Sequence, residues 1–169
     1  MTGQEYCDAV AHGEFPDDPV VPVDNIHKSA SGEILNLVFH RGDETRPSGV
    51  EIVQSKKWSL RSNHYHKTDW HYMYVLDGEV VYYWRKARPK GEALLPLQFR
   101  KFVRGEMMFT PPMVEHVTLF TEETRLLVVS RYVRDSASHE ADLVRVKLLS
   151  LDAGGWGVPK LVVDESARP

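Results

Sequence analysis

The stretch Asn63-His64-Tyr65-His66-Lys67-Thr68-Asp69-Trp70-His71 places three histidines in one short segment. Side chains alternate between the two faces of a strand, so His64 and His66 point the same way if this segment is extended. Two imidazoles on one face can hold a single metal ion at about 2.0–2.1 Å. His71 opens the next predicted strand, where Met73 and Val75 share its face. We therefore expect all three rings to face an apolar interior.

A fourth histidine follows the segment Gly105–Glu115, which reads GEMMFTPPMVE. His116 begins another predicted strand, and histidines on the inner faces of neighbouring strands can converge on one cation. Imidazole nitrogen suits transition metals better than magnesium or calcium. The sequence predicts one divalent transition metal per chain (iron, nickel, zinc, manganese or copper), with the ligands His64, His66, His71 and His116. The alternative is a metal-free site in which the imidazoles act as acid–base groups.

Short apolar runs rich in Val, Ile, Leu, Phe and Tyr follow one another from Ile34 onward, separated by turn residues. Such spacing is typical of an antiparallel sandwich or small barrel. The Asp77-Gly78 pair between two of these runs predicts a hairpin. Strands are predicted at Ile34–His40, Val50–Gln54, Lys57–Arg61, His71–Leu76, Glu79–Arg85, Leu97–Val103, Met107–Thr110, His116–Phe120, Leu126–Val133 and, in the tail, Leu143–Leu149.

The chain divides into three predicted parts. Residues 1–25 are rich in Pro and Asp and form an irregular N-terminal arm, which either docks on a partner subunit or is mobile. Residues 26–150 form a single domain. Residues 151–169 form a C-terminal tail with a Gly-rich loop at Asp152–Gly157 and a frayed end from Val163.

The histidine spacing resembles that of the cupin superfamily, whose motifs are Gly-x5-His-x-His-x3-4-Glu-x6-Gly and Gly-x5-Pro-x-Gly-x2-His-x3-Asn. The resemblance covers residues 50–133 and implies an all-β fold, the cupin double-stranded β-helix or jelly-roll barrel. His71 occupies the place of the motif glutamate, which keeps a ligand but removes its negative charge. The other matching positions are His64, His66, Gly78, Gly105, Pro111 and His116.

Three positions depart from the cupin motifs. Trp58 and Met113 stand where the motifs have glycine, and Phe120 replaces the final Asn. Because glycine tolerates positive φ, we expect the loop before His116 to differ. Two short stretches, Arg61–Thr68 and His139–Val146, are similar to cupins of nucleotide-sugar and capsular-polysaccharide pathways. In that reading Asp142 and Arg145 are structural or interfacial.

Several other polar residues are expected to lie away from the site. Strand alternation puts Arg61 on the face opposite the histidines, and Glu115 points away from the metal as a solvent-exposed carboxylate. Cys7 is not expected to be catalytic. The remaining histidines are predicted to be solvated and not to bind metal: His12, His27, His40 and His139.

Composition excludes several classes of function. The net charge of −3 gives no electrostatic footprint for nucleic acid or an anionic membrane. No apolar run approaches the ~18 residues of a membrane helix, and the acidic N-terminus is unlike a signal peptide. The single cysteine leaves no disulfide or thiolate cluster. We expect a cytoplasmic homodimer that takes a small-molecule substrate and binds neither nucleic acid nor membrane.

Three functions remain open from the sequence. The favoured one is a metal-dependent epimerase or isomerase of a sugar or related hydroxy-carbonyl compound. The second is a mononuclear non-haem iron dioxygenase. The third is a cupin that binds a ligand without turnover. The sequence does not identify the acid or base residue.

Overall fold

A computed structural model describes residues 1–29, 31–37, 46–89, 91–134, 136–154 and 158–163. Their elements in chain order are α1 (Gly3–Ala11), β1 (Val20–Val21), β2 (Asp24–Ser29), β3 (Gly32–Asn36), β4 (Gly49–Ser55), β5 (Ser59–His66), β6 (His71–Asp77), β7 (Glu79–Lys86), β8 (Gln98–Val103), β9 (Met107–Thr110), β10 (Val114–Phe120), β11 (Thr124–Ser130), α2 (Ala137–Asp142), β12 (Leu143–Arg145), β13 (Leu149–Asp152) and β14 (Lys160–Val163).

Two antiparallel five-stranded sheets form the body of the described chain. One has the strand order β1-β9-β6-β11-β4 and the other β12-β5-β10-β7-β8. Apolar side chains from both sheets meet in one cluster, with Met73 and Val128 from the first sheet and Val80 and Phe102 from the second. The predicted all-β fold is therefore confirmed, and the inner sheet faces supply its core.

The Asp77-Gly78 turn does not form the predicted hairpin. β6 ends at Asp77 in the first sheet and β7 begins at Glu79 in the second, so the turn carries the chain from one sheet to the other. Gly78 has φ 81°, as such a turn requires. A Cβ at Gly78 would lie 2.5 Å from the Glu123 carbonyl oxygen. The turn at Asp77-Gly78 is confirmed, but β6 and β7 pair with strands that are distant in sequence and not with each other.

The N-terminal arm is more ordered than the sequence predicts. Thr2 and Glu5 form a reciprocal capping box that starts α1. One face of α1 buries Tyr6, Cys7 and Val10 against the outer face of the first sheet. β1 then pairs with β9. The arm thus packs on its own domain because its apolar residues recur on one helix face.

The C-terminal strands are shorter than the predicted run Leu143–Leu149. β12 pairs with β5, and β13 pairs with β14. His40, Gly155–Gly157 and the end after Val163 lie outside the described residues. No helix within the described ranges has the length and apolar character that a bilayer span needs.

Candidate active site

A cavity of about 320 Å³ opens between the two sheets. His64, His66 and His71 line it together with Asp69 and His139. His116 is fully buried beside them. The cavity wall therefore includes histidines from β5, β6 and α2, and Asp69 from the connection between β5 and β6.

The four predicted histidines come together. The ring centre of His64 lies 4.7 Å from that of His66 and 4.8 Å from that of His116. His71 lies 5.6 Å from His66 and 5.2 Å from His116. β10 brings His116 into register with His64 on β5. Strand pairing thus joins two motifs that are distant in sequence.

A bulge in β5 changes which side chains face the cavity. Ser62 and Asn63 have φ 73° and 60°, and the β5–β10 register shifts between His116 and Val117. The Asn63 carboxamide oxygen accepts hydrogen bonds from the Leu148 and Leu149 N–H groups at 2.9 and 3.1 Å. These contacts hold the left-handed backbone in place.

The prediction for Arg61 is wrong because of this bulge. Regular alternation would put Arg61 opposite the histidines, but the irregular backbone after it breaks the alternation. Arg61 lines the same cavity as His64 and His66. Its Nε donates to Ser55 Oγ and its Nη2 to the Gln54 carbonyl oxygen, both at 2.8 Å.

The loop before His116 keeps a glycine-like conformation without glycine. Met113 has φ 58°, and Trp58, at the other motif glycine, has φ 56°. The Met113 N–H donates to the His66 carbonyl oxygen at 2.7 Å. The backbone of the motif is retained, and the cost is a strained non-glycine residue.

Burial keeps the imidazoles neutral. Loss of solvation, reinforced by neighbouring histidines, lowers the pKa of His64 to about 2 and that of His71 well below its usual value. Burial also lowers the pKa of His66 to about 4 and that of His116 to about 3. Neutral rings are the form that binds metals and accepts protons.

Hydrogen bonds assign one nitrogen of His116. Its Nδ1 lies 3.0 Å from the Val114 carbonyl oxygen, which can only accept, so Nδ1 carries the proton. Nε2 is then a lone-pair nitrogen, and it is buried without a partner. Such an arrangement matches a metal-binding histidine whose second nitrogen is fixed by the backbone.

His139 is not solvated, contrary to the prediction. Its side chain is 9% exposed, and its Nδ1 lies 3.6 Å from Asp69 Oδ2. The ring centre is 5.3 Å from that of His66. α2, which begins after the N-cap Ser136, carries His139 to the cavity. A helix as short as α2 leaves little periodic signal, so this contact could not be predicted from local sequence patterns.

Two buried carboxylates accompany these rings. Asp69 Oδ1 accepts from the N–H groups of Trp70 and Tyr132. Asp142 accepts from the Thr68 N–H, the Thr68 hydroxyl and the Asp69 N–H at 2.8–2.9 Å. Burial raises the pKa of Asp69. For Asp142 the hydrogen bonds outweigh burial and hold its pKa below the usual value.

The ligand atoms of His66, Asp69 and His139 all lie within 4.8 Å of one another. That spacing is close enough for one cation to reach all three. This buried group could therefore bind a metal ion. Two residues of this group, Asp69 and His139, were not predicted from the sequence as possible ligands.

The prediction for Glu115 is also wrong. Its side chain is 4% exposed, and Oε2 accepts from Arg85 Nε at 2.7 Å. Glu115 does point away from the cavity, as strand alternation requires. Its carboxylate is buried because it pairs with Arg85 on the neighbouring β7, where we had expected contact with solvent.

The chain has the cupin jelly-roll fold, and comparisons with solved structures show this. A 3,4-ketoisomerase from Helicobacter canadensis matches with a TM-score of 0.60 and 15% identity over 76% of this chain and 90% of that one. A 3'-monoepimerase from Streptomyces bikiniensis, solved with dTDP-quinovose, has a TM-score of 0.58 and 14% identity over 78% and 71%.

A dTDP-4-dehydrorhamnose 3,5-epimerase from Sulfolobus tokodaii matches with a TM-score of 0.53 and 16% identity over 72% of this chain and 80% of that one. No family model and no curated protein sequence matches the chain. The likeness therefore establishes the fold, and function must be argued from the site.

Proposed function

We propose that this chain is an isomerase or epimerase of a sugar or related hydroxy-carbonyl compound. The observation that carries the proposal is the cluster of buried, neutral imidazoles at one enclosed cavity. Isomerisation next to a carbonyl needs a neutral base that takes a proton from carbon and returns it to carbon or oxygen. The imidazole nitrogens at this cavity are unprotonated at pH 7, but their low pKa values make them weak bases, so a polarised carbonyl must first make the C–H more acidic.

We also propose that the cavity binds one divalent transition metal through His64, His66, His71 and His116. The lone-pair nitrogen of His116, buried and without a partner, supports this ligand set. So does the proximity of the four rings. A bound ion would polarise the substrate carbonyl and make the neighbouring C–H more acidic.

Proton transfer, exclusion of water and substrate binding fall to side chains at the cavity. With the ion bound, its four ligand rings have no free lone pair, so the proton acceptor must be another group that lines the cavity. The apolar wall, with Met73 and Phe120, excludes water from the substrate carbon. Arg61 and Arg134 line the same cavity, as do the carboxylates Glu51 and Asp69.

A nucleotide sugar is the substrate class we favour. Structures of similar fold were solved as nucleotide-sugar enzymes, and one holds dTDP-quinovose. The guanidinium groups of Arg61 and Arg134 would suit the diphosphate. Each already has a partner, Ser55 and Glu51 respectively, so substrate phosphate would have to share or replace these contacts.

The test is solvent exchange under anaerobic conditions. The zinc-, iron- or nickel-loaded chain is incubated in D₂O with a nucleoside-diphosphate 4-keto sugar, and deuterium incorporation is followed by mass spectrometry. We expect incorporation next to the carbonyl, and its loss in His64→Gln. Arg88→Gln, on the surface, is the matched control and should retain exchange.

A parallel incubation of the same protein in air, together with a ligand-binding measurement, separates the other two functions. Oxygen uptake that depends on ferrous iron, without deuterium exchange, would favour a dioxygenase. Tight ligand binding with neither exchange nor oxygen uptake would favour a binding protein. Either result contradicts the isomerase proposal.

We propose further that the chain forms a homodimer. β4 is an edge strand of the described first sheet, and Val50 and Ile52 on it are 69% and 57% exposed. Exposed apolar residues on an edge strand favour association. Sedimentation should give a dimer, and Ile52→Lys should shift it toward monomer. A wild-type monomer at high protein concentration would contradict this proposal.

A further inference from the structure

A group of potential ligands lies on the α2 side of His66, the one residue that it shares with the four-histidine set. Asp69 Oδ2 lies 3.9 Å from His66 Nδ1 and 3.6 Å from His139 Nδ1. Asp69 stands in the connection between β5 and β6, and His139 stands on α2. Three separate parts of the chain therefore present ligand atoms to one small volume.

Two of these atoms are unsatisfied. His66 Nδ1 and His139 Nδ1 are both buried and have no hydrogen-bond partner. Asp142 Oδ2 is 3.3 Å from His66 Nδ1, but without the alignment of a hydrogen bond. Buried polar nitrogens almost always have a partner, so two of them beside one carboxylate need an explanation.

The two carboxylates beside these nitrogens have no lysine or arginine ion-pair partner among the described residues. Asp69 and Asp142 are both buried. Among the described residues, the ion-pair partners of these two carboxylates are histidines, His66 and His139. The hydrogen bonds to Asp69 from the Trp70 and Tyr132 N–H groups end on Oδ1, and Oδ2 lies 3.6–3.9 Å from the two histidine nitrogens. The nearby basic side chains bond elsewhere: Lys67 Nζ donates to the Ala141 carbonyl oxygen and Arg131 to that of Thr68.

We propose that His66 Nδ1, Asp69 Oδ2 and His139 Nδ1 form a second cation site, separate from the four-histidine set. Two imidazole nitrogens and one carboxylate oxygen suit a zinc or ferrous ion and leave coordination positions for water. Asp142, beside His66, supplies a second negative charge near the ion. A bound ion would also stabilise the packing of α2 against the β5–β6 connection.

The two sites are linked through one ring. The four-histidine set would use His66 Nε2, because the second site uses Nδ1. With both sites occupied, His66 would bridge the two ions as an imidazolate, and the proton displaced from its ring would leave to solvent. Occupancy of the second site therefore changes the electron donation of His66 toward the cavity.

Zinc stoichiometry tests the proposal without a substrate. The metal-stripped full chain is dialysed against micromolar Zn²⁺, and bound zinc is counted by elemental analysis. We expect two zinc ions per wild-type chain and one in both His139→Ala and Asp69→Asn. His12→Ala removes an exposed histidine at the C-cap of α1 and should keep two. Circular dichroism confirms that each variant is folded, and His139→Gln replaces His139→Ala if the latter is not.

The outcomes separate this site from the four-histidine site. Equal zinc content in the wild type, His139→Gln and Asp69→Asn would overturn the second site. If the wild type binds one zinc that is lost in His139→Gln and kept in His71→Gln, the second site stands and the four-histidine ligand set fails. If that single zinc is lost in His71→Gln and kept in His139→Gln, the second site is wrong.

Discussion

His66 and Asp142 face each other across the junction of β5 and α2, with His66 Nδ1 3.3 Å from Asp142 Oδ2 and both side chains buried. The carboxylate also accepts three hydrogen bonds from Thr68 and Asp69. Asp142 thus fixes the loop that follows the histidine pair and sets the charge beside one of its rings. The sequence interpretation of Asp142 as structural agrees with these contacts.

Asp142→Ala should destabilise the protein strongly. It leaves the N–H groups of Thr68 and Asp69 without their acceptor, at a cost of about 2–4 kcal/mol in the free energy of unfolding. Urea unfolding measures the change. Asp77→Ala removes an exposed carboxylate that pairs with Arg125 and should cost no more than about 0.5 kcal/mol. Similar losses in both variants would contradict the role given to Asp142.

His66→Ala should abolish metal binding, because His66 belongs to both proposed ligand sets. Elemental analysis after metal-replete purification measures it, and we expect a folded chain without bound metal. His71→Glu restores the carboxylate of the cupin motif at that position and should still bind metal. Unchanged metal content in His66→Ala would refute both sites at once.

Glu115→Ala should cost about 3–5 kcal/mol in the free energy of unfolding, because it leaves the guanidinium of Arg85 buried and unpaired. The matched control is Glu92→Ala, which breaks the exposed pair with Arg88 and should change stability by about 0.5 kcal/mol or less. Chemical unfolding of both variants checks the contrast. A Glu115→Ala protein as stable as the control would show that Arg85 finds another partner or solvent.

Met113→Gly should stabilise the chain by roughly 1 kcal/mol, since φ 58° strains a residue with a Cβ and suits glycine. The side chain is exposed, so little packing is lost. Met113→Ala separates the two effects because it removes the side chain but keeps the Cβ. Thermal unfolding should therefore show a gain for glycine only; an equal gain for alanine would assign the effect to the methionine side chain.

Stability of the metal-free protein should fall as the pH is lowered from 7 to 5. The pKa values of His64, His66 and His116 lie below their ordinary value in the folded state, so only the unfolded chain takes up protons in this range. The stabilisation is complete above about pH 6.5 and is lost below it, by about 2 kcal/mol per ring at pH 5. Urea unfolding in the presence of a chelator measures this dependence.

His71→Gln provides the control for the pH experiment. The pKa of His71 is also lowered by burial, so its removal should weaken the pH dependence by one ring's contribution. A stability that is flat between pH 7 and 5 would mean that the rings take up protons in the folded state.

The meeting of His64 and His66 with His116 depends on the pairing of β5 with β10. The class of fold, the turn at Gly78 and the shared face of His64 and His66 could be predicted from the sequence. Each of these depends on alternation within a strand or on fixed motif spacing, which are local properties of the chain. His64 and His66 share a face because they are two residues apart, and Gly78 marks a turn because its backbone needs positive φ. Such signals can be read without knowing what packs against them.

The residues that surround those histidines depend on the tertiary structure and could not be predicted from the sequence. His139 and Asp142 reach His66 because α2 docks beside β5, and nothing near residue 66 encodes that contact. The bulge at Ser62 and Asn63 turned Arg61 toward the cavity, and Arg85 on a neighbouring strand buried Glu115. Contacts between residues distant in sequence depend on how whole elements pack, and local periodicity carries no record of that packing.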